Sequence, residues 1–137
     1  MQQEEWFHRA VIYQVDSSLF YDANGDGFGD LAGIRQKLHY IRSLGATVLW
    51  LTPFYLTPLQ DDGYDISDHL QPDPRFGTIA DVIELIARAR ELGLRVIVEL
   101  VIQHTSAQHQ WFQAARRDPR SPWRPYYLWA DRPPEND

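Results

Sequence analysis

The sequence predicts an α/β protein built on a parallel sheet, and three observations carry that prediction. Short, largely apolar runs at residues 10–15, 46–51 and 94–102 have strand length, and the second and third read as strands covered on both faces. Two segments between them carry apolar residues at three- and four-residue spacing, as on one side of a helix. The junctions also repeat, since "RSLGATVLWL" and "RELGLRVIVEL" are each a helix end, a Leu-Gly pair and an apolar strand. Strands alternating with helices form βαβ units, whose strands run parallel.

The first element is the strand "AVIYQV". "YDANGDGFGD" then sets Asp22, Asn24, Asp26 and Asp30 among Gly25, Gly27 and Gly29. Leu31, Ile34, Leu38, Ile41 and Leu44 make the stripe of the first helix; Asp30 stands at its N-cap and Gly45 just past its end. "ATVLWL" is a strand buried on both faces. Residues 52–77 read as a long polar, proline-rich loop. Thr78 caps the second helix with Asp81 three residues on, a near relative of the capping box. Val82, Leu85, Ala89 and Leu92 supply its stripe, Gly93 closes it, and "LRVIVELVI" is a third buried strand. Beyond Ile102 the pattern fades to a short helix in "SAQHQWFQAARRD". The closing stretch is rich in proline and aromatic residues and ends in a polar tail.

Three parallel strands are either a small open sheet or part of a larger one. Nothing here supplies helices for both faces of an open sheet. The reading is therefore the N-terminal part of a (β/α)8 TIM barrel, incomplete, since a whole one takes about 250 residues.

Bulk properties narrow the function. A net charge of −6 disfavours nucleic acid and anionic membrane as partners, because phosphates would be repelled. The absence of cysteine removes disulfides and thiolate metal sites. The acidic "MQQEEW" start is unlike a secretory leader, and no stretch is long enough to span a membrane, so a cytoplasmic protein is expected. Five Trp and seven Tyr, in 137 residues, suit core packing and also the stacking of sugar rings.

Three stretches could carry chemistry. Asp22, Asn24 and Asp26 followed by Gly27 match the first half of a D-x-[DN]-x-[DN]-G calcium loop, in which alternate residues turn oxygens to one centre. Gly33 falls where an EF-hand has its bidentate Glu, so an EF-hand is excluded. Asp30, with the Phe28 carbonyl, could complete a different oxygen cage; a glycine turn with Asp30 as a helix cap is the alternative. "PLQDDGYDISDHL" comes after the second strand, on the face where parallel barrels assemble their sites. Its Asp61, Asp62, Asp65, Asp68 and Tyr64 could grip sugar hydroxyls or act as an acid/base pair, or be turn caps. His104 lies just past the third strand, where it can donate to a substrate hydroxyl, serve as a base or bind nearby backbone. No metal-ligand His pair, G-x-S-x-G, P-loop or G-x-G-x-x-G is present.

Together "AVIYQV" with "DANGDGFGDLAGI", "LGATVLWLTPFYLTPLQDDGYDISDHLQPDPRFGT" and "ELGLRVIVELVIQHTSAQHQWFQ" resemble the α-amylase superfamily of glycoside hydrolases and transglycosylases (glycoside hydrolase family 13). They look like its first strand with the calcium loop of the oligo-1,6-glucosidase and trehalose synthase branch, its second strand with the substrate loop, and its third strand with the first signature region. "PFYLTPLQDDGYDI", Glu99 and "SPWRPYYLWAD" lean toward the trehalose synthase (maltose α-D-glucosyltransferase) subgroup. The resemblance covers nearly the whole chain. Two departures are Gln103 where the family usually has Asn, and "YQVDSSLF" in place of a basic-plus-Ser-Phe ending.

The resemblance implies a site, residue by residue. Asp22, Asn24, Asp26, Phe28 through its carbonyl, and Asp30 would hold calcium. Tyr64 would stack on the sugar on the non-reducing side of the cleaved bond, with Asp61 and His104 on its hydroxyls. Residues 1–105 would be the N-terminal part of the catalytic barrel and 106–137 the start of a small inserted second domain. The partner would be a small α-glucoside such as maltose or trehalose. The expected activity is α-D-glucosyl transfer interconverting maltose and trehalose by retaining double displacement. Alternatives are an α-glucosidase or α-amylase-like hydrolase, and a non-catalytic sugar- and calcium-binding module. The family's nucleophile and acid/base carboxylates match nothing in this chain, so none of its residues is expected to be catalytic and the chain alone is expected to be inactive.

Overall fold

The computed structural model describes residues 5–132. Its strands are β1 (Ile12–Val15), β2 (Val48–Leu51), β3 (Tyr55–Leu56), β4 (Asp68–Pro72) and β5 (Arg95–Val98), and three of them form one parallel sheet in the order β1-β2-β5. The register runs from Ile12 beside Val48 beside Arg95 to Val15 beside Leu51 beside Val98. Helices α1 (Leu31–Ser43) and α2 (Ile79–Glu91) make the two crossovers and pack against each other. Their stripes meet the sheet: Leu31, Ile34, Leu38 and Ile41 of α1, Leu85 and Ala89 of α2, and Val15, Leu49 and Leu51 are all sealed in one core. A buried Leu or Ile is worth about 1.5–3 kcal/mol in removal from water, so this cluster sets the fold.

Both helices begin as the sequence predicts. The Asp30 carboxylate accepts from the Gly33 amide at 2.6 Å. Thr78 and Asp81 form a reciprocal capping box, with the Asp81 carboxylate accepting from the Thr78 amide at 2.8 Å. Gly45 and Gly93, past the helix ends, take the left-handed φ of +88° and +72° that a terminating glycine supplies. Arg35 pairs with Glu84 across the two helices. Arg42 ties α1 to the residue at the end of α2, donating to the Leu92 carbonyl at 3.2 Å.

Two expectations need correction. The sequence predicts a third strand over residues 94–102, buried throughout. Its ladder holds only for Arg95–Val98, and the chain leaves the sheet after the Glu99 amide bonds the Leu51 carbonyl. Val98, Leu100 and Ile102 are 40%, 62% and 84% exposed, because no strand among the described residues pairs the outer edge of β5. The stretch 52–77 is also more than loop. It folds into the antiparallel hairpin of β3 and β4, which bonds the segment that follows β5 through His69 to the Val101 carbonyl and through the Ser106 amide to the Ile66 carbonyl. The short helix appears as α3 (Gln110–Arg117), with a 3-10 turn after it at Arg124–Tyr126. The polar tail beyond residue 132 lies outside the described residues. No helix among them is long and apolar enough to cross a membrane.

Candidate functional site

The rim of the sheet gathers the loops after β1, β2 and β5. Its organiser is a group of three polar residues in the hairpin. Asp73, 2% exposed, is held by a bidentate pair from Arg75, whose Nε and Nη2 lie 2.7 and 2.6 Å from its two oxygens. The same Arg75 Nη2 donates to the Thr57 carbonyl at 2.6 Å, and the Thr57 amide donates back to Asp73. Burial would raise the Asp73 carboxyl, but hydrogen bonds from the Arg75 side chain and from backbone amides outweigh it and hold the group below its ordinary value.

Asp65 does the same for the turn that precedes it. Its carboxylate accepts from the Thr57 hydroxyl at 2.8 Å and from the Gln60 and Asp61 amides at 3.0 and 3.2 Å. Here too burial pushes upward, yet the three donors prevail and the group titrates low. The turn they close is tight. Leu59 and Asp62 take φ of +55° and +47°, and Gly63 takes +95° with its backbone against the Pro53 carbonyl, where a Cβ would sit at 3.1 Å.

That turn delivers Tyr64. Its amide bonds the Asp61 carbonyl at 2.7 Å, and its phenol lies 3.3 Å from a Glu99 oxygen at the end of β5. Desolvation raises the phenol first, then the negative charges of Glu99, Asp16 and Asp61, so the ring stands in a negative rim. His104 is brought to the same place: its Nε2–H donates to the Tyr64 carbonyl at 3.0 Å. Tyr64, Asp61 and His104, expected together from the sequence, are therefore neighbours. Asp68 is turned away, its oxygens taken by the Leu70 amide and the Gln71 side chain. His104 also borders a groove of about 760 Å³ between residues 100–105 and the aromatic side chains of Trp111, Phe112 and Tyr127. A rim of carboxylates, one phenol ring and one imidazole suits a neutral polyhydroxylated ligand, through stacking on the ring and donation of its hydroxyls to the carboxylates.

The turn at residues 21–30 forms a separate site. Asp22 accepts from the Gly25 and Gly27 amides at 2.6 and 2.8 Å, and chiefly the Gly27 bond keeps it ionised to lower pH than usual. Asn24 and Asp26 close successive turns onto the amides of Asp26 and Phe28, both at 2.9 Å. Asp30, buried, accepts from Ala23 as well as capping α1. The glycines have distinct reasons. Gly25 and Gly27 have φ of +81° and +94°, whereas a Cβ at Gly29 or Gly33 would lie 2.5 Å from the Ser17 carbonyl or 2.1 Å from that of Tyr21. Among the described residues no three His, Asp or Glu side chains converge as in a metal site. The turn nevertheless offers carboxylates, one amide oxygen and one carbonyl, the donors a hard cation takes.

Sequence reasoning missed the Asp73–Arg75 clamp, whose signal was the pair of opposite charges two residues apart in "PDPRFG". It also missed Glu99 as the partner of the Tyr64 phenol.

Comparison with known proteins gives consistent matches. The model of the α-amylase catalytic domain matches residues 14–137. Over 135 residues the chain is 48% identical to the glucan 1,6-alpha-glucosidase of Streptococcus pneumoniae serotype 4, covering 98% of this chain and 25% of that protein. It is 51% identical over 128 residues to the trehalose synthase of Thermus thermophilus, covering 93% of this chain and 13% of that one. The crystal structure of trehalulose synthase MutB from Pseudomonas mesoacidophila MX-45 superposes with a TM-score of 0.89 at 43% identity, over 92% of this chain and 23% of its own. The chain thus spans about a quarter or less of the length of these relatives.

Proposed function

The chain belongs to the α-amylase catalytic-domain family, its three strands and two helices being part of a (β/α)8 barrel, and from that premise we propose that it is the N-terminal portion of an enzyme that transfers α-D-glucosyl units, interconverting maltose and trehalose. The observation that supports the reading is the meeting of Tyr64, Asp61 and His104 at the carboxyl ends of β2 and β5.

In this reading the chain binds and orients. Tyr64 offers its ring to the apolar face of a glucose unit, held in place by Glu99 and the turn that Asp65 closes. Asp61 accepts from sugar hydroxyls. His104, whose Nε2–H already serves the Tyr64 carbonyl, fixes the segment and presents its imidazole edge to the ligand. The clamp of Arg75 on the buried Asp73 keeps the hairpin rigid over the site. Retaining transfer requires a nucleophile and an acid/base carboxylate about 5–5.5 Å apart. We assign neither role to a residue of this chain, so the 137 residues alone are inactive. Residues 1–105 form the barrel portion. Residues 106–137 open a small second domain; within their described part, α3 and the 3-10 turn pack Trp111, Trp123 and Tyr126 on one another. Calcium would be held by Asp22, Asn24, Asp26, Asp30 and the Phe28 carbonyl, neutralising their charge and pinning the start of α1. The partners are small α-glucosides, with no role for nucleic acid or membrane, in the cytoplasm.

A hydrolytic reading is second, because the chain is nearly as similar to a protein named for glucosidase activity. In that case the freed glucosyl unit passes to water instead of being reattached. Incubation of the purified chain with maltose and with an aryl α-glucoside tests the division of labour. We expect neither trehalose nor glucose; turnover that survives repurification and disappears in Asp61→Asn would contradict it.

A further inference from the structure

His69 on β4 and His109 at the N-cap of α3 are forty residues apart in sequence and face each other, with Nδ1 of His69 3.4 Å from Nε2 of His109. His109 is 2% exposed. Its Nδ1 accepts from the Trp111 amide at 3.1 Å, so Nδ1 carries no proton. A neutral imidazole then bears its proton on Nε2, which donates to His69 Nδ1. His69 accepts that bond with its own proton on Nε2, 3.2 Å from the Val101 carbonyl. One direction of donation satisfies every atom: the Trp111 amide to His109, His109 to His69, and His69 to Val101. The rings also pack on Trp111, His69 stacked at 6.0 Å and 13° and His109 tilted at 4.4 Å.

A second proton has no place in this chain. On His109 Nδ1 it would point at the Trp111 N–H, and on His69 Nδ1 at the His109 N–H. The surrounding groups do little to offset this. Asp68 on β4 favours a charged His109, but its oxygens are taken by Leu70 and Gln71. The other titratable side chains near the pair include no carboxylate: Tyr55 on β3 beside His69, Tyr126 against Trp111, and His104 on the groove wall. Burial first, and then the neighbouring His69, hold His109 below the ordinary histidine value.

We propose that His69 and His109 are positioning residues, a neutral imidazole relay that ties residues 101–104, and with them His104, to the hairpin and to the start of α3, and that acidification releases that segment. The relay is read from the chain's own hydrogen bonds and stands whether or not the rim binds a sugar. A histidine that titrates low in the fold contributes its stabilisation fully above the unfolded value, about 6.5, and loses it as pH falls below that.

Hydrogen exchange of the 137-residue chain, read by mass spectrometry and corrected for intrinsic rates, tests this. Between pH 7.5 and 5.5 peptides spanning residues 100–113 should lose protection by about three- to tenfold, while peptides covering β2 keep theirs. His109→Asn still caps α3 through its side-chain oxygen and does not titrate, so its protection in that segment should be flat with pH. His69→Phe keeps the stack on Trp111 and should weaken the pH response. Protection that is pH-independent in the wild type, an equal loss in His109→Asn, or an equal loss in β2 would each overturn the relay.

Discussion

The turn at residues 21–30 and the rim loop at 57–75 are written with the same letters, Asp and Gly at close spacing, yet the fold uses them differently. In the first, Asp22, Asn24 and Asp26 stay at the surface and bond groups of their own turn: its backbone amides, and the Asn24 amide on the Asp26 carboxylate. In the second, Asp65 and Asp73 are buried, and both reach back to Thr57, Asp65 to its hydroxyl eight residues away and Asp73 to its amide sixteen away. A carboxylate at the surface keeps its water and contributes little; a buried one has lost that water, and its partners must replace it. Burial, which no short motif encodes, therefore separates an aspartate that shapes a local turn from one that holds the site.

The difference can be broken from either side. The largest effect is expected at Asp73: Asp73→Ala strands the Arg75 guanidinium and the Thr57 amide. It should cost about 3 kcal/mol by urea denaturation, and a loss under half of that would mean the hairpin is held elsewhere. Asp65→Asn comes next, at about 1–2 kcal/mol, since the amide accepts fewer of the three donors. The same two carboxyls fix the sign of the pH dependence. Both titrate below their ordinary values, so their stabilisation is present above the unfolded value of about 3.9 and lost as pH falls through the folded ones. The stability of the wild type should drop as pH falls below about 4, less steeply in Asp65→Asn; parallel curves would count against the assignment. The smallest effect is expected in the exposed turn. There Asp26→Ala should barely move the melting temperature without metal, and its effect should emerge with calcium. Millimolar calcium should raise the Tm of the wild type and not that of Asp26→Ala; an equal shift in both, or none in either, would leave Asp22, Asn24 and Asp26 as turn residues.

The sequence made the scaffold plain because its signals are local. The stripes of α1 and α2, their caps at Asp30 and Thr78 and the glycines that end them are read within a turn or two of chain, and the structure reproduces them except for Leu44, which falls at the C-cap of α1 and is exposed. The third strand reads too long because "LRVIVELVI" is apolar throughout, and apolar character states a capacity for burial while the presence of a neighbouring strand decides it. The hairpin was hidden by its two-residue first strand and by prolines at 53, 58, 72 and 74, which read as loop. Of the candidate site, the loops that carry Asp61, Tyr64 and His104 were legible by position after strand ends, and only the family resemblance singled out these three from their neighbours. The Tyr64–Glu99 contact and the His69–His109 pair join residues 35 and 40 apart, and only the folded chain brings them together.

The proposed function depends on Tyr64, Asp61 and His104 forming a glucose-gripping rim at the carboxyl ends of these strands. A saturation-transfer NMR titration of the chain with maltose tests it most directly. The expected result is saturable binding that Tyr64→Ala and His104→Ala each weaken by about tenfold, the cost of one lost contact to a bound polar ligand. Saturation transfer that does not level off with maltose, or binding that both variants leave unchanged, would contradict it.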